Sequence, residues 1–305
     1  MHKLTVATVA RNYYNLPLWI GQEQNFFREQ DLDVTLNEND SVDVVTACLR
    51  RGEAQLARGI TEHVILDREA GGSLEIVAGS INKLPFSLIC KASIKTIKQL
   101  KGKVIGASSV EAGSSSLIME ILAQEGLKHP DDYTIRAVGP MMSRWELLKT
   151  GEIDGGLQGV PMNFIALDAG FNTLIEPRDR FPDFQFSSLN ADARWAAANR
   201  EILVRFLQAC LKAHDWYYAN RELSSDLAAY KMKLDRDYAL RAWDECVAAE
   251  IMPRDAKASI AAVQTLIEVS GLIRALSKRT GSHAEDYINP SYLDDASKRH
   301  RLLVN

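Results

Sequence analysis

The block Leu49-Arg50-Arg51-Gly52-Glu53-Ala54-Gln55-Leu56-Ala57 returns 99 residues later as Leu148-Lys149-Thr150-Gly151-Glu152-Ile153-Asp154-Gly155-Gly156. Each copy closes an amphipathic segment and leads into a short apolar run, so the repeated unit is a helix, a turn and a strand. A duplicated helix–turn–strand unit predicts two related α/β lobes. Lobes of that kind leave a cleft between them, and small molecules bind at the carboxyl ends of the parallel strands that face it.

The rest of the chain follows the same alternation. Lys3–Val9 reads as a strand, Leu16–Phe27 as a helix and Leu32–Leu36 as a strand; a helix (41–51), a strand (54–60), a helix (61–70) and the strand Leu74–Ala78 come next. A second unit opens at Phe86–Cys90 and continues through the strand Lys103–Ala107, a helix over Ser115–Gln124 stopped by Gly126, the strand Tyr133–Val138, a helix near Ser143–Lys149 and the strand Gly156–Val160. After Phe184 a short strand leads to helices over Ala197–Asn220, Ser224–Lys231, Asp235–Glu250 and Ser259–Ser270. Their aromatics, Trp195, Trp216, Trp243, Tyr217 and Tyr218, are expected to pack on the first lobe. This divides the chain into lobe one at residues 1–87, lobe two at 88–185, and a return to lobe one at 186–305. The two crossings are natural hinges.

Composition narrows the function. With 46% apolar and 25% charged residues, 305 residues supply ample core for a soluble globular protein. A net charge of −4 without a Lys/Arg stripe argues against a nucleic-acid surface. Cys48, Cys90, Cys210 and Cys246 form no CxxC or Cys/His cluster, so no metal or redox motif and no cofactor is expected. They read as isolated core residues, with a Cys48–Cys90 bridge left open. No run approaches the ~20 apolar residues that cross a bilayer. The first strand starts at once, leaving no space for a signal sequence, so the chain reads either as a mature or trimmed secreted form or as cytoplasmic.

Several segments are familiar in order. They are Pro17–Ile20 through Phe27-Arg28-Glu29-Gln30-Asp31-Leu32-Asp33-Val34, then Ile97–Gly106 with its Leu100-Lys101-Gly102-Lys103, then Gly126-Leu127 with Asp131-Asp132-Tyr133-Thr134, and then Gly151-Glu152-Ile153-Asp154-Gly155. Together they resemble the periplasmic-binding-protein type II fold, in the family of ABC-transporter solute-binding proteins for nitrate, aliphatic sulfonates and thiamine-pyrimidine precursors. The resemblance implies an α/β, two-lobed fold with a ligand cleft between lobes and a helical C-terminal region on lobe one. It also implies a monomer that captures a small organic ligand outside the cytoplasm and hands it to a membrane permease, with no reaction. Two positions depart from the family pattern. Gln55 replaces an Asp of the first repeated turn, and Glu111 puts a carboxylate where small or polar residues are usual, which disfavours a simple inorganic or fully anionic ligand.

The loops after parallel strands supply the candidate ligand residues. From lobe one these are Arg11, Asn12, Tyr13 and Tyr14, then Arg58, Gly59, Thr61 and Glu62. From lobe two they are Ser108, Ser109, Glu111, Ser114 and Ser115 around a helix start, and Gln158, with Asn163 as a further polar group. Free N–H groups at a helix start favour an anion, arginine holds a carboxylate or sulfonate bidentately, and tyrosine stacks on a ring. The expected ligand therefore has an anionic or carbonyl end, hydrogen-bond donors and a ring.

The alternative is a cytoplasmic enzyme on the same fold, desulfinase-, decarboxylase- or pyrimidine-synthase-like. His63 falls near the histidine that fungal pyrimidine synthases of this resemblance consume, but their cysteine-rich iron-binding motif is replaced here by Phe184-Gln185-Phe186-Ser187-Ser188-Leu189. No GxSxG, HExxH, P-loop or paired-carboxylate pattern is present, so no catalytic residue is assigned.

Overall fold

A computed structural model describes residues 1–110, 112–272 and 282–304. Its ten strands are β1 His2–Val9, β2 Leu32–Asn39, β3 Leu56–Ile60, β4 Leu74–Ile81, β5 Phe86–Cys90, β6 Val104–Ala107, β7 Thr134–Ala137, β8 Gly155–Gly159, β9 Asn172–Ile175 and β10 Ser187–Asp192. They form two five-stranded sheets with matching orders, β2-β1-β3-β10-β4 and β7-β6-β8-β5-β9. The two copies of the repeated block occupy equivalent places. Each closes a helix, Val42–Arg50 or Met141–Thr150, and enters the central strand of its sheet, β3 or β8.

Not every strand is parallel. β5 runs antiparallel between β8 and β9, and β10 runs antiparallel between β3 and β4. Each is the first strand after a crossing between sheets. A chain arriving from the other lobe enters at the cleft, where the parallel strands end, and so must run back against them. The parallel pairs β1–β2, β1–β3, β6–β7 and β6–β8 aim their carboxyl ends, and the loops after them, at that cleft.

β4 is an edge strand, yet all its residues are buried. Its outer backbone groups are taken up by returning chain: Ile76 N–H donates to Tyr287 and Gly79 N–H donates to Ala256. A Cβ on Gly79 would lie 2.2 Å from the Lys257 carbonyl, so glycine is what lets that segment close the edge. The helices Arg200–Ala219 and Ser291–Val304 pack on one another and on the first lobe.

The helical region also reaches lobe two. Leu234, in the turn between the helices Arg221–Met232 and Arg236–Ala248, packs against the apolar cluster of Ile89, Trp145, Leu148 and Met162. Elements not expected from the sequence include the helices Met162–Asp168, Pro177–Arg180 and Ala193–Ala198, the strand β9 and the C-terminal helix Ser291–Val304. All four cysteines are free and buried, with Cys48 and Cys90 associated with different sheets.

Candidate functional site

β1 ends at Val9 and the chain turns through Arg11, whose φ of 45° is left-handed. Asn12 then caps the short helical turn Tyr13–Asn15 by accepting from Tyr14 N–H at 3.1 Å. Asn15 is buried and ties two elements together. Its Nδ2 donates to the Val9 carbonyl at 2.7 Å, and its Oδ1 accepts from Arg58 Nη1 on β3 at 3.2 Å. Arg58 is thereby fixed along the cleft floor.

Arg11, Asn12, Tyr14, Arg58, Gly59, Ser108 and Ser114 surround one cavity between the lobes. Its volume is about 70 Å³, several times the roughly 10–15 Å³ that one water needs. The remaining wall is mostly apolar, with Val42, Ile60, Phe86, Met141, Met142 and Phe186 prominent. Phe86 and Phe186 come from the two crossing strands' ends, and their rings meet edge to face at 4.6 Å.

Arg144 was not anticipated. It lies on the helix Met141–Thr150, is 2% exposed, and lines the same cavity from lobe two. Its guanidinium donates to the carbonyls of Leu157 and Gly139, and Nε has no partner among the described residues. Gly156 makes space for it, since a Cβ there would lie 2.7 Å from Arg144 Cδ. Burial lowers the Arg144 guanidinium to about 10 and that of Arg58 to about 9, so both remain charged near neutrality. Among the described residues neither has a carboxylate partner; Arg58 reaches only Asn15 Oδ1 and, at 3.9 Å, Met252 Sδ. The sequence signal for Arg144 was an arginine within an otherwise apolar helix face, but helix faces could not be assigned without knowing which side met the cleft.

Other expected residues lie off the cavity wall. Tyr13 is buried, with its hydroxyl 3.5 Å from that of Tyr217. Thr61 donates to Ser188 Oγ at 3.0 Å, and Ser115 donates back to the Ala112 carbonyl at 3.1 Å. Ser109 is buried beside the helix start. Gln158 is fully buried on β8, with no partner for its amide among the described residues. Asn163, on the helix Met162–Asp168, is likewise buried and leaves its Oδ1 unpartnered. Glu111 falls outside the described residues.

Glu62 requires the largest revision. The helix start that was expected to hold a ligand's anion is occupied by this carboxylate, which accepts from Gly113 N–H at 2.6 Å and from Ser116 Oγ at 2.8 Å. Burial pushes the Glu62 carboxyl up, and its polar neighbours Ser270, Gly113 N–H and Ser116 act in the opposite sense. Ser114 keeps a cavity position: its Oγ accepts from Ser108 N–H at 2.8 Å and lies 2.9 Å from Ser108 Oγ.

His63 is buried behind the cleft. Its Nδ1 is 2.7 Å from Thr46 Oγ1 and its Nε2 is 3.4 Å from the Asp43 carboxylate. Burial lowers its pKa, with Asp43 opposing.

Two matched sheets, each completed by a strand from the opposite crossing and facing each other across a cleft, define a two-lobed periplasmic-binding-protein fold. The nitrate-binding protein NrtA of Synechocystis PCC 6803 has this fold, with a TM-score of 0.84 at 13% identity over 98% of this chain and 89% of that one. The alkanesulfonate-binding protein SsuA of Xanthomonas axonopodis pv. citri, solved with MOPS bound, gives a TM-score of 0.77 at 16% identity over 95% and 99%. The profile of the NMT1/THI5-like family matches residues 12–223, and the chain belongs to that family. A relative in Saccharomyces cerevisiae, the 4-amino-5-hydroxymethyl-2-methylpyrimidine phosphate synthase THI13, is 24% identical over 253 residues, 77% of this chain and 73% of the relative.

Proposed function

We propose that the protein is the solute-binding component of an ABC importer, holding a small organic anion between its lobes without transforming it. One observation carries this reading: Arg58 and Arg144, from opposite lobes, bring two carboxylate-free guanidiniums to one small, largely apolar cavity. Buried cations without counter-charge are costly, so an anionic group supplied from outside would relieve both at once. Arginine's planar fork matches a sulfonate, carboxylate or phosphate, and the apolar wall suits a carbon body. A ligand touching both arginines would favour the closed arrangement of the lobes.

On this reading lobe one comprises residues 1–87 and 186–305, lobe two comprises 88–185, and the protein works as a monomer outside the cytoplasm with a membrane permease as its partner. No helix among the described residues is long and apolar enough to cross a membrane.

The names of the yeast relatives favour a second reading, pyrimidine synthesis. Against it weighs His63, whose two ring nitrogens face Thr46 and Asp43 and not the cavity. Titration calorimetry against MOPS, short alkanesulfonates, nitrate and pyrimidine phosphates, with the recovered ligand analysed by mass spectrometry, separates the readings. Binding of an organic anion and its recovery intact is the expected result. A released product whose formation is lost in His63→Ala would establish the enzyme.

A further inference from the structure

Glu62 sits in the first turn of the helix Thr61–Glu69 on lobe one, is 0% exposed, and sends its carboxylate to lobe two. One oxygen accepts from Gly113 N–H at 2.6 Å, the other from Ser116 Oγ at 2.8 Å. Gly113 and Ser116 belong to the start of the helix Ser114–Gln124, where unpaired N–H groups and the helix dipole favour negative charge. No basic side chain holds Glu62 among the described residues. Its charge is met by the other lobe's helix.

Two ion pairs across the lobes are of another kind. Arg241–Asp168 at 2.6 Å and Arg178–Glu245 at 3.3 Å join lobe two to the C-terminal helices, with side-chain exposures of 29–48%. Solvent screens such pairs and competes for both partners, so their loss on opening costs little. The Glu62 contact is dry. Parting the lobes would strip a buried carboxylate of its Gly113 and Ser116 donors at once and leave the helix start open.

We propose that Glu62 is a built-in anion that latches the two lobes, filling the helix start of lobe two with the protein's own carboxylate. The site is thereby closed to a ligand's anion for as long as the lobes stay together. The latch does not depend on which ligand the cavity accepts.

Small-angle scattering of the full, ligand-free chain tests this. Glu62→Ala removes the latch, and Ser116→Asp keeps Glu62 but sets a like charge against it. Both variants are expected to show a larger radius of gyration than the unaltered protein, with far-UV dichroism unchanged. Should Glu62→Ala fail to fold, Ser116→Asp decides alone, because its added carboxylate becomes solvated once the lobes part. Folded variants that scatter like the unaltered chain would overturn the proposal.

Discussion

Arg58 on β3 and Arg144 on the helix Met141–Thr150 face one cavity from opposite lobes, and among the described residues no carboxylate binds either of them. Each is held by neutral acceptors of its own lobe, so the pair is fixed in place and its charge is uncompensated. On the proposed function, that uncompensated charge is what an anionic ligand would meet.

Removing either arginine should therefore weaken binding of an organic sulfonate far more than it weakens the fold. Truncating one partner of a desolvated charge contact costs about 2–5 kcal/mol in affinity, so Arg58→Ala and Arg144→Ala should each lower MOPS affinity by at least tenfold in titration calorimetry. Arg144→Met, which fills the same volume without charge, should melt at the same or a higher temperature than the unaltered chain in the absence of ligand. A variant that binds MOPS normally would move the site away from this cavity.

The two helix-start serines should separate. Ser114 Oγ lines the cavity with Ser108, whereas Ser115 Oγ is committed to the Ala112 carbonyl. Ser114→Ala is expected to cost about 0.5–1.5 kcal/mol of MOPS affinity, the value of one neutral hydrogen bond. Ser115→Ala should leave affinity unchanged and lower only the melting temperature. Equal affinity losses in the two variants would contradict this placement.

The fold was legible because its signal is local and repeated. The blocks at Leu49–Ala57 and Leu148–Gly156 each mark a helix end and the central strand of a sheet, and periodicity located most of the elements around them. The antiparallel sense of β5 and β10 was not legible, since strand direction is set by where the chain crosses between lobes and alternation of apolar residues is the same either way. β9 and the helix Pro177–Arg180 are four residues each, too short to show a period.

The candidate site was legible where it follows strand ends. Arg11, Asn12, Tyr14, Arg58 and Gly59 lie one turn beyond β1 or within β3 and reach the cavity by topology alone. Arg144 and Asn15 escaped notice because their roles depend on side-chain direction from helical segments. Glu62 was placed near the cleft, but its partner is 51 residues away on the other lobe, a pairing that only the closed arrangement of the two sheets creates.

Gly156 should prove less replaceable than Gly59. A Cβ at Gly156 would approach Arg144 Cδ at 2.7 Å and the Gly106 carbonyl oxygen at 2.9 Å, and the second of these is backbone that cannot swing aside. At Gly59 the nearest atoms, Asn190 Nδ2 and Val45 Cγ1, are 3.5 Å away, an ordinary contact. Gly156→Ala is expected to destabilise by about 1–3 kcal/mol through overpacking and to weaken MOPS binding by displacing Arg144. Gly59→Ala should change the melting midpoint much less. Denaturant melts of the two variants make the comparison, and equal losses would show that the close approach at Gly156 is not limiting.

His214 should set part of the acid stability of lobe one. It is 7% exposed on the helix Arg200–Ala219, and its Nδ1 lies 3.0 Å from the Pro253 carbonyl, which can only accept, so Nδ1 carries the proton of a neutral ring. Burial, then the charge of Arg58, lowers its pKa from 6.5 to about 4, while the hydrogen bond to Pro253, then Asp215 and Asp255, act the other way. In the unfolded chain the ring takes up a proton as pH falls through 6.5; in the folded chain it resists until about 4. The unfolded state therefore binds more protons across that window, and stability fully present above pH 6.5 is lost as pH falls toward 4, by on the order of 3 kcal/mol. His214→Gln retains a donor for Pro253 but cannot titrate, so its urea-denaturation midpoint should fall less steeply between these pH values. An acid limb as steep in His214→Gln as in the unaltered chain would assign the acid sensitivity to other groups.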